Sequence, residues 1–246
     1  MTLSVIERLG PNHNERPAGV PIDMLVLHYT GMRTGREAIE RLRDPDPPTG
    51  APVSSHYVVE EDGAIWRLVP EERRAWHAGV SWWRGHEGLN DRSVGIEIVN
   101  PGYEFGYRDF PVLQLAATCD LCLHILSRHP IPPRNVVAHS DIAPDRKQDP
   151  GERFDWAGFA TNGVGLWPQG VPDLGTGDPV RDAFGLRDVR AALAHIGYRV
   201  APAGALDPAL ADVLRAFQRH WRPEAVTGQA DSGTLARLLA VARLCG

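Results

Sequence analysis

The 246-residue chain has little of what marks the specialised protein classes. It holds three cysteines, an odd number that argues against a disulfide framework. It has no excess of positive charge, since 26 Lys and Arg stand against 31 Asp and Glu for a formal net charge of −5. That balance leaves no electrostatic footprint for nucleic acid or an anionic membrane surface. No stretch approaches the ~20 apolar residues of a membrane span. The start, Met1-Thr2-Leu3-Ser4-Val5-Ile6-Glu7-Arg8, lacks the apolar core of a secretory leader. As given, the chain reads as cytoplasmic; a leader trimmed from the native N-terminus would make it periplasmic or envelope-associated.

What is present is an ordinary globular composition, 43% hydrophobic and 23% charged. The length holds one domain of about 170 residues and a small second one. Residues 1–20 are polar and punctuated by Pro and Gly, and read as a surface arm. Ile22–Tyr29 is a short apolar run suited to a strand buried on both faces, ending near His28. A short helix is expected over Glu37–Leu42, then a hairpin from Ser54–Glu60 and Ala64–Val69 around Glu61-Asp62-Gly63. Residues 75–91, with Trp76, His77, Trp82, Trp83 and His86 among glycines, read as a long loop. Ser93–Val99 is a further strand, Phe110–Arg128 a helix and Asn135–His139 a last strand, a mixed α/β pattern. Cys119 and Cys122 form a CxxC, but they fall on one face of that helix with Leu115 and Leu126. They read as a buried, inert pair, and the second CxxC of a structural zinc site is missing.

A Gly- and Pro-rich linker lies near 170–180, and three helical patterns follow. Asp182–Ile196 stops at Gly197; Asp207-Pro208 opens a second, with Leu210, Val213, Leu214, Phe217 and Trp221 on one face. A third spans about Ser232–Leu244, with Leu235, Leu238, Leu239 and Ala242 inward. The expected organisation is an α/β domain over 1–172, a central mixed sheet flanked by helices, and a small all-α three-helix domain over 180–246.

The chemistry concentrates in His139-Ser140-Asp141-Ile142-Ala143-Pro144-Asp145-Arg146-Lys147-Gln148-Asp149-Pro150-Gly151. Pro144, Pro150 and Gly151 rule out one continuous helix, so these groups sit on a shaped loop after a strand. Imidazole and carboxylate are metal ligands, and an ammonium beside them suits oxyanion stabilisation. His28 ends the first strand and Glu97 interrupts the apolar run of another; polar groups so placed are costly to bury unless paired or metal-bound. Pattern alone favours hydrogen-bonded structural histidines over a metal site.

Five strings then appear in order: Val26-Leu27-His28-Tyr29-Thr30, Val53-Ser54-Ser55-His56-Tyr57, Ala75-Trp76-His77-Ala78-Gly79, Asn90–Ile98 and His139–Gly151. Over roughly residues 20–160 they resemble the zinc-dependent N-acetylmuramoyl-L-alanine amidases of the AmpD/AmiD type. Residues 180–246 resemble, more weakly, a peptidoglycan-binding three-helix module, a combination closer to AmiD-like enzymes. The resemblance implies Zn2+ held by His28, His139 and Asp149, Glu97 as catalytic acid/base, and Lys147 as transition-state stabiliser. Related phage and animal peptidoglycan-recognition proteins carry a Cys as third ligand and a Tyr before the motif His, where this chain has Asp149 and Ser55. Tyr29, Trp76, His77 and Asn90 are the candidates for substrate contact. Gly88 and Arg92 flank Asn90, without the Arg that some AmpD-type enzymes carry just before it.

The implied substrate is a peptidoglycan or muropeptide amide joining N-acetylmuramic acid, intact or 1,6-anhydro, to L-alanine. The rival readings are a non-catalytic peptidoglycan receptor and a zinc peptidase cutting within the stem peptide. His56 reads as a structural partner, Trp82 and Trp83 as loop packing or sugar platforms. His13, His86, His124, His129, His195 and His220 read as surface or helix residues.

Overall fold

The computed structural model describes residues 3–172 and 174–246. Ten short strands are labelled in chain order: β1 (Ile6–Glu7), β2 (His13–Glu15), β3 (Met24–Tyr29), β4 (Tyr57–Val59), β5 (Ile65–Arg67), β6 (Arg73–Ala75), β7 (Trp82–Trp83), β8 (His86–Glu87), β9 (Ser93–Ile98) and β10 (Val136–Ala138). Six form one mixed sheet in the order β1-β5-β4-β9-β3-β10, parallel except for the β4–β5 hairpin. The helices are α1 (Gly35–Arg43), α2 (Gly102–Phe105), α3 (Val112–Leu126), α4 (His139–Ile142), α5 (Trp156–Thr161), α6 (Ala183–Ile196), α7 (Pro208–Trp221) and α8 (Ser232–Leu244).

Alternation along the strands divides the core in two. Leu25 and Leu27 of β3, with Val94, Ile96 and Ile98 of β9, pack on Leu121, Cys122 and Ile125 of α3 and on Phe154 and Phe159. Met24 and Val26 point the other way and join Val137 of β10 and Ile142 of α4. That face is covered by Leu186, Val189 and Leu193 of α6, Leu214 and Phe217 of α7 and Leu238 of α8. The C-terminal helices thus form the second layer over the sheet, and one apolar core runs from Val26 to Phe217. His28 and Glu97 extend the same face beyond Val26 and Gly95, where the apolar cover ends.

Several expectations change. The N-terminal arm is not loose: β1 adds an edge strand to the main sheet, and β2 pairs antiparallel with β6. The 75–91 segment holds the β7–β8 hairpin and a 3-10 turn at Leu89–Asp91, two-residue strands too short to show a period. His139 does not end a strand but opens α4, because the Asp141 carboxylate accepts the Ala138 N–H (2.8 Å) and turns the chain there. Leu239 is 54% exposed; the buried side of α8 runs through Thr234, Leu238 and Val241 instead. His220 is 2% exposed, an interior residue rather than a surface one. Cys119 and Cys122 are free thiols, and burial pushes both upward in pKa, as befits unreactive packing residues. The helix starts follow the sequence closely: Asp182, Asp207 and Asp231 each cap their helix through a backbone N–H.

No helix among the described residues is long and apolar enough to cross a membrane. Phe217 is fully buried in the core shared by sheet and C-terminal helices. Phe217→Ala is expected to lower the unfolding free energy by about 3–5 kcal/mol, measured by urea denaturation; a loss under about 1 kcal/mol would show that this core contributes little.

Candidate metal centre and active site

β3 and β10 lie side by side in parallel, which brings His28 at the end of one strand next to His139, the residue that follows the other. Asp149 returns from the loop after α4, tied by Ser140 N–H to the Asp149 carbonyl (3.0 Å). Three atoms converge: His28 Nδ1 to His139 Nδ1 is 2.9 Å, His28 Nδ1 to Asp149 Oδ2 3.1 Å, and His139 Nδ1 to Asp149 Oδ2 3.0 Å. All three residues are buried.

The surrounding hydrogen bonds decide which ring nitrogens carry protons. Ser93 Oγ–H donates to the Leu89 carbonyl (2.6 Å), so its oxygen is left to accept from His77 Nε2–H (3.2 Å). His77 Nδ1 is then an acceptor for His28 Nε2–H (3.0 Å), which leaves His28 Nδ1 a bare lone pair. His139 Nε2–H donates to the Ala78 carbonyl (3.2 Å), so its Nδ1 is bare as well. Gly95 makes room for this arrangement: a Cβ there would sit 2.5 Å from the His77 ring. Asn90 Oδ1 pins the same segment by accepting the N–H groups of His77 (3.0 Å) and Ala78 (2.8 Å).

Two bare imidazole nitrogens and a carboxylate oxygen at this spacing repel one another unless a cation lies among them. Protonation states agree. Burial, then the neighbouring His139, pushes His28 down to about 4, so it is neutral at pH 7. Burial alone would raise the Asp149 carboxyl, but His139 and His28 hold it well below the usual carboxylate range. Neutral imidazole and ionised carboxylate are the states a metal requires. His28, His139 and Asp149 also make up the group that can hold a metal ion among the described residues, so the donor set fits one.

Glu97 stands beside this triangle. It is the in-register neighbour of His28 across the β3–β9 pair, so both side chains leave the same face. Its Oε2 is sealed from solvent and has no hydrogen-bond partner. Burial raises its pKa well above the carboxylate norm, Asp149 adds to that, and Lys147 opposes it. Lys147 is half-buried on the loop between His139 and Asp149 and lines the same cavity as Glu97.

These groups open into a cavity of about 460 Å³ lined by Tyr29, Trp76, His77, Glu97, Lys147 and Asp149 among others, including Arg41 and Arg146. Tyr29 and Trp76 are partly exposed in its wall. His77, though buried, still reaches the cavity wall beside His28, whereas Asn90 lies outside the lining with its side-chain oxygen committed to backbone. His56 is structural in geometry: Nδ1 accepts the Gly95 N–H (3.0 Å) and Nε2–H donates to the Arg73 carbonyl (3.1 Å). Trp83 is buried against Tyr198, and Trp82 has the Arg199 guanidinium over its ring at 5.0 Å.

A mixed sheet ending in a buried two-His, one-Asp triad, with a desolvated Glu alongside and an open cavity, is the architecture of a metal-dependent hydrolase. Residues 18–152 match the family described as N-acetylmuramoyl-L-alanine amidase, and residues 185–238 match the putative peptidoglycan binding domain. The chain is 38% identical over 229 residues to the N-acetylmuramoyl-L-alanine amidase AmiD of Escherichia coli K12, covering 87% of this chain and 80% of that protein. It is 43% identical over 162 residues to the 1,6-anhydro-N-acetylmuramyl-L-alanine amidase AmpD of Salmonella typhimurium SL1344, covering 61% and 84%. The E. coli AmiD structure in complex with anhydro-N-acetylmuramic acid-L-Ala-D-gamma-Glu-L-Lys superposes with a TM-score of 0.78 at 37% identity, over 94% and 93% of the two chains. AmpDh3 of Pseudomonas aeruginosa, in complex with an anhydromuramic pentapeptide, gives 0.76 at 34%, over 94% and 95%. The chain belongs to the N-acetylmuramoyl-L-alanine amidase family.

The polarity of the hydrogen-bond chain makes His77 a determinant of metal affinity. His77→Ala frees the His28 ring to change tautomer and should weaken metal binding about 10–100-fold, read by chelator competition; an unchanged dissociation constant would remove His77 from that role.

Proposed function

We propose that this protein is a zinc-dependent amidase that hydrolyses the bond between the lactyl group of N-acetylmuramic acid, intact or 1,6-anhydro, and L-alanine in peptidoglycan fragments. The observation that carries the reading is the convergence of His28 Nδ1, His139 Nδ1 and Asp149 Oδ2 within 3.1 Å, with Glu97 in register beside them. Two imidazoles and one carboxylate, leaving a position open for water, are a catalytic zinc donor set. Family membership and the muropeptide complexes of two relatives support the substrate class. In this reading residues 1–172 form the catalytic unit and 180–246 the peptidoglycan-binding part.

Bound zinc supplies an acidified water, with a pKa near ~7, and polarisation of the scissile carbonyl. The chain's own residues do the rest. Glu97 takes the water proton and returns it to the alanine nitrogen as the amide breaks; its desolvation, which raises its pKa above the carboxylate norm, suits a group that must take and return a proton. Lys147, in the cavity wall beside Glu97 and Asp149, faces the oxyanion of the tetrahedral intermediate. Tyr29, Trp76 and His77 line the substrate cavity, while Asn90 acts from behind it by holding the 77–78 backbone.

Incubation of the protein with a defined muropeptide, products identified by mass, tests the reading. The expected product is free peptide with N-terminal alanine; cleavage inside the stem would make the protein a peptidase, and unchanged substrate a receptor. In the same assay Glu97→Gln should retain one zinc per chain by elemental analysis while kcat falls about 10²–10⁴-fold. Wild-type turnover by the metal-loaded variant would take the proton-transfer role from Glu97.

A further inference from the structure

Asp141 belongs to the His139–Gly151 run, yet it neither points at the metal triad nor lines the catalytic cavity. It is 1% exposed, and a carboxylate so buried is costly unless every lone pair is met. Its oxygens take three donors. Oδ2 accepts the Ala138 N–H (2.8 Å) and His220 Nδ1–H (2.6 Å), and Oδ1 accepts the Tyr198 hydroxyl (2.5 Å). The first bond shapes the turn from β10 into α4, the turn that delivers His139. The other two come from the C-terminal helical part, Tyr198 just after α6 and His220 on α7.

Neither donor has room to drift. The His220 ring lies between Trp156 and Trp221, with centroids at 3.7 and 3.9 Å and interplanar angles of 22° and 6°. Tyr198 meets Trp83 edge-on at 5.1 Å and Phe217 at 6.3 Å. Burial, then Asp141, pushes its phenol well above the ordinary value, which keeps it a donor at any working pH. A second clamp closes nearby: Arg84 donates through Nη1 to the His195 (3.0 Å) and Ile196 (2.7 Å) carbonyls, and its own N–H to Gly197 (3.0 Å). Gly197, at φ 146°, can approach this closely only without a side chain, because a Cβ would sit 2.7 Å from the Trp83 ring.

We propose that the C-terminal helices are a working part of the metal centre: Tyr198 and His220 are positioning residues that hold His139 in its metal-binding orientation through Asp141. This goes beyond a glycan-binding role for residues 185–238 and rests on the metal site proposed above. With both donors gone, the Asp141 carboxylate is left with the Ala138 N–H alone inside an apolar setting. It then turns toward solvent, α4 loses its N-terminal bond, and His139 loses its fixed direction. The effect concerns metal binding and turnover, so it operates on small soluble substrates that no glycan-binding surface could help.

The test uses the full chain with Tyr198→Phe and His220→Phe combined, which keeps both rings and removes both donors. Folding is checked by circular dichroism, zinc affinity by chelator competition, and kcat and KM with a soluble muropeptide. The expected result is a folded protein binding zinc at least ~10-fold more weakly, with reduced kcat and unchanged KM. His220→Asn, which restores an N–H donor in place of His220→Phe, should recover most of the zinc affinity. If the double variant does not fold, Tyr198→Phe alone carries the same measurement, with a smaller loss in the same direction. Wild-type zinc affinity and kcat in the folded variants, or a defect confined to polymeric peptidoglycan, would overturn the proposal. Absence of zinc binding by the unaltered protein would instead overturn the metal-site reading itself.

Discussion

Three lone pairs that should repel are held within 3.1 Å of one another, and the rest of the molecule is arranged around that fact. A protein builds such a cluster only by preventing each member from escaping. Here escape is blocked by direction. Each imidazole spends its only N–H on a fixed acceptor, His139 on the Ala78 carbonyl and His28 on His77. His77 in turn is oriented by Ser93, and Ser93 by the Leu89 carbonyl. The His28 tautomer follows from the Leu89 carbonyl three steps away and that of His139 from the Ala78 carbonyl directly, the way outer hydrogen bonds orient imidazole rings.

The same constraint explains the division of the sheet. The face opposite α3 has to be apolar where it packs and polar where it reacts, within a single strand. β3 makes the change between Val26 and His28, and β9 between Gly95 and Glu97. The C-terminal helices cover the apolar part and stop short of the polar part, leaving the cavity. Their hold on Asp141 ties the covering layer to the sheet, so the C-terminal helices and the α/β part meet in a shared core as well as in a shared chain.

Much of this was legible in the residues. The apolar run into His28, the Asp-Gly hairpin, the Asp207-Pro208 start of α7 and the Leu/Phe/Trp stripe of that helix each follow from local periodicity or capping chemistry. His28, Glu97, His139, Lys147 and Asp149 could be singled out by motif, and the fold lines all five on one cavity. What local pattern could not give was anything decided across long sequence separation. His77 and Asn90 were candidates for substrate contact, and nothing nearby in sequence showed that His77 also accepts from His28 or that Asn90 holds the 77–78 backbone. His220 looked like one more helix histidine, since nothing nearby in sequence announces an acid 79 residues away. The only signal was Asp141 itself, a carboxylate in a strand-to-helix turn with no cationic neighbour to pair with. Leu239 was assigned inward because leucine is apolar, but α8 has only one buried face and Leu238 already fills it.

The central claim is that hydrogen-bond polarity, set by the Leu89 carbonyl for His28 and the Ala78 carbonyl for His139, presents both imidazoles to a metal through Nδ1. Anomalous diffraction at the zinc edge from metal-loaded crystals measures this directly. The account predicts one peak bonded to His28 Nδ1, His139 Nδ1 and Asp149 Oδ2 at about 2.0–2.2 Å. A peak bonded through Nε2 of either ring, or one that recruits His77 as a ligand, would contradict it.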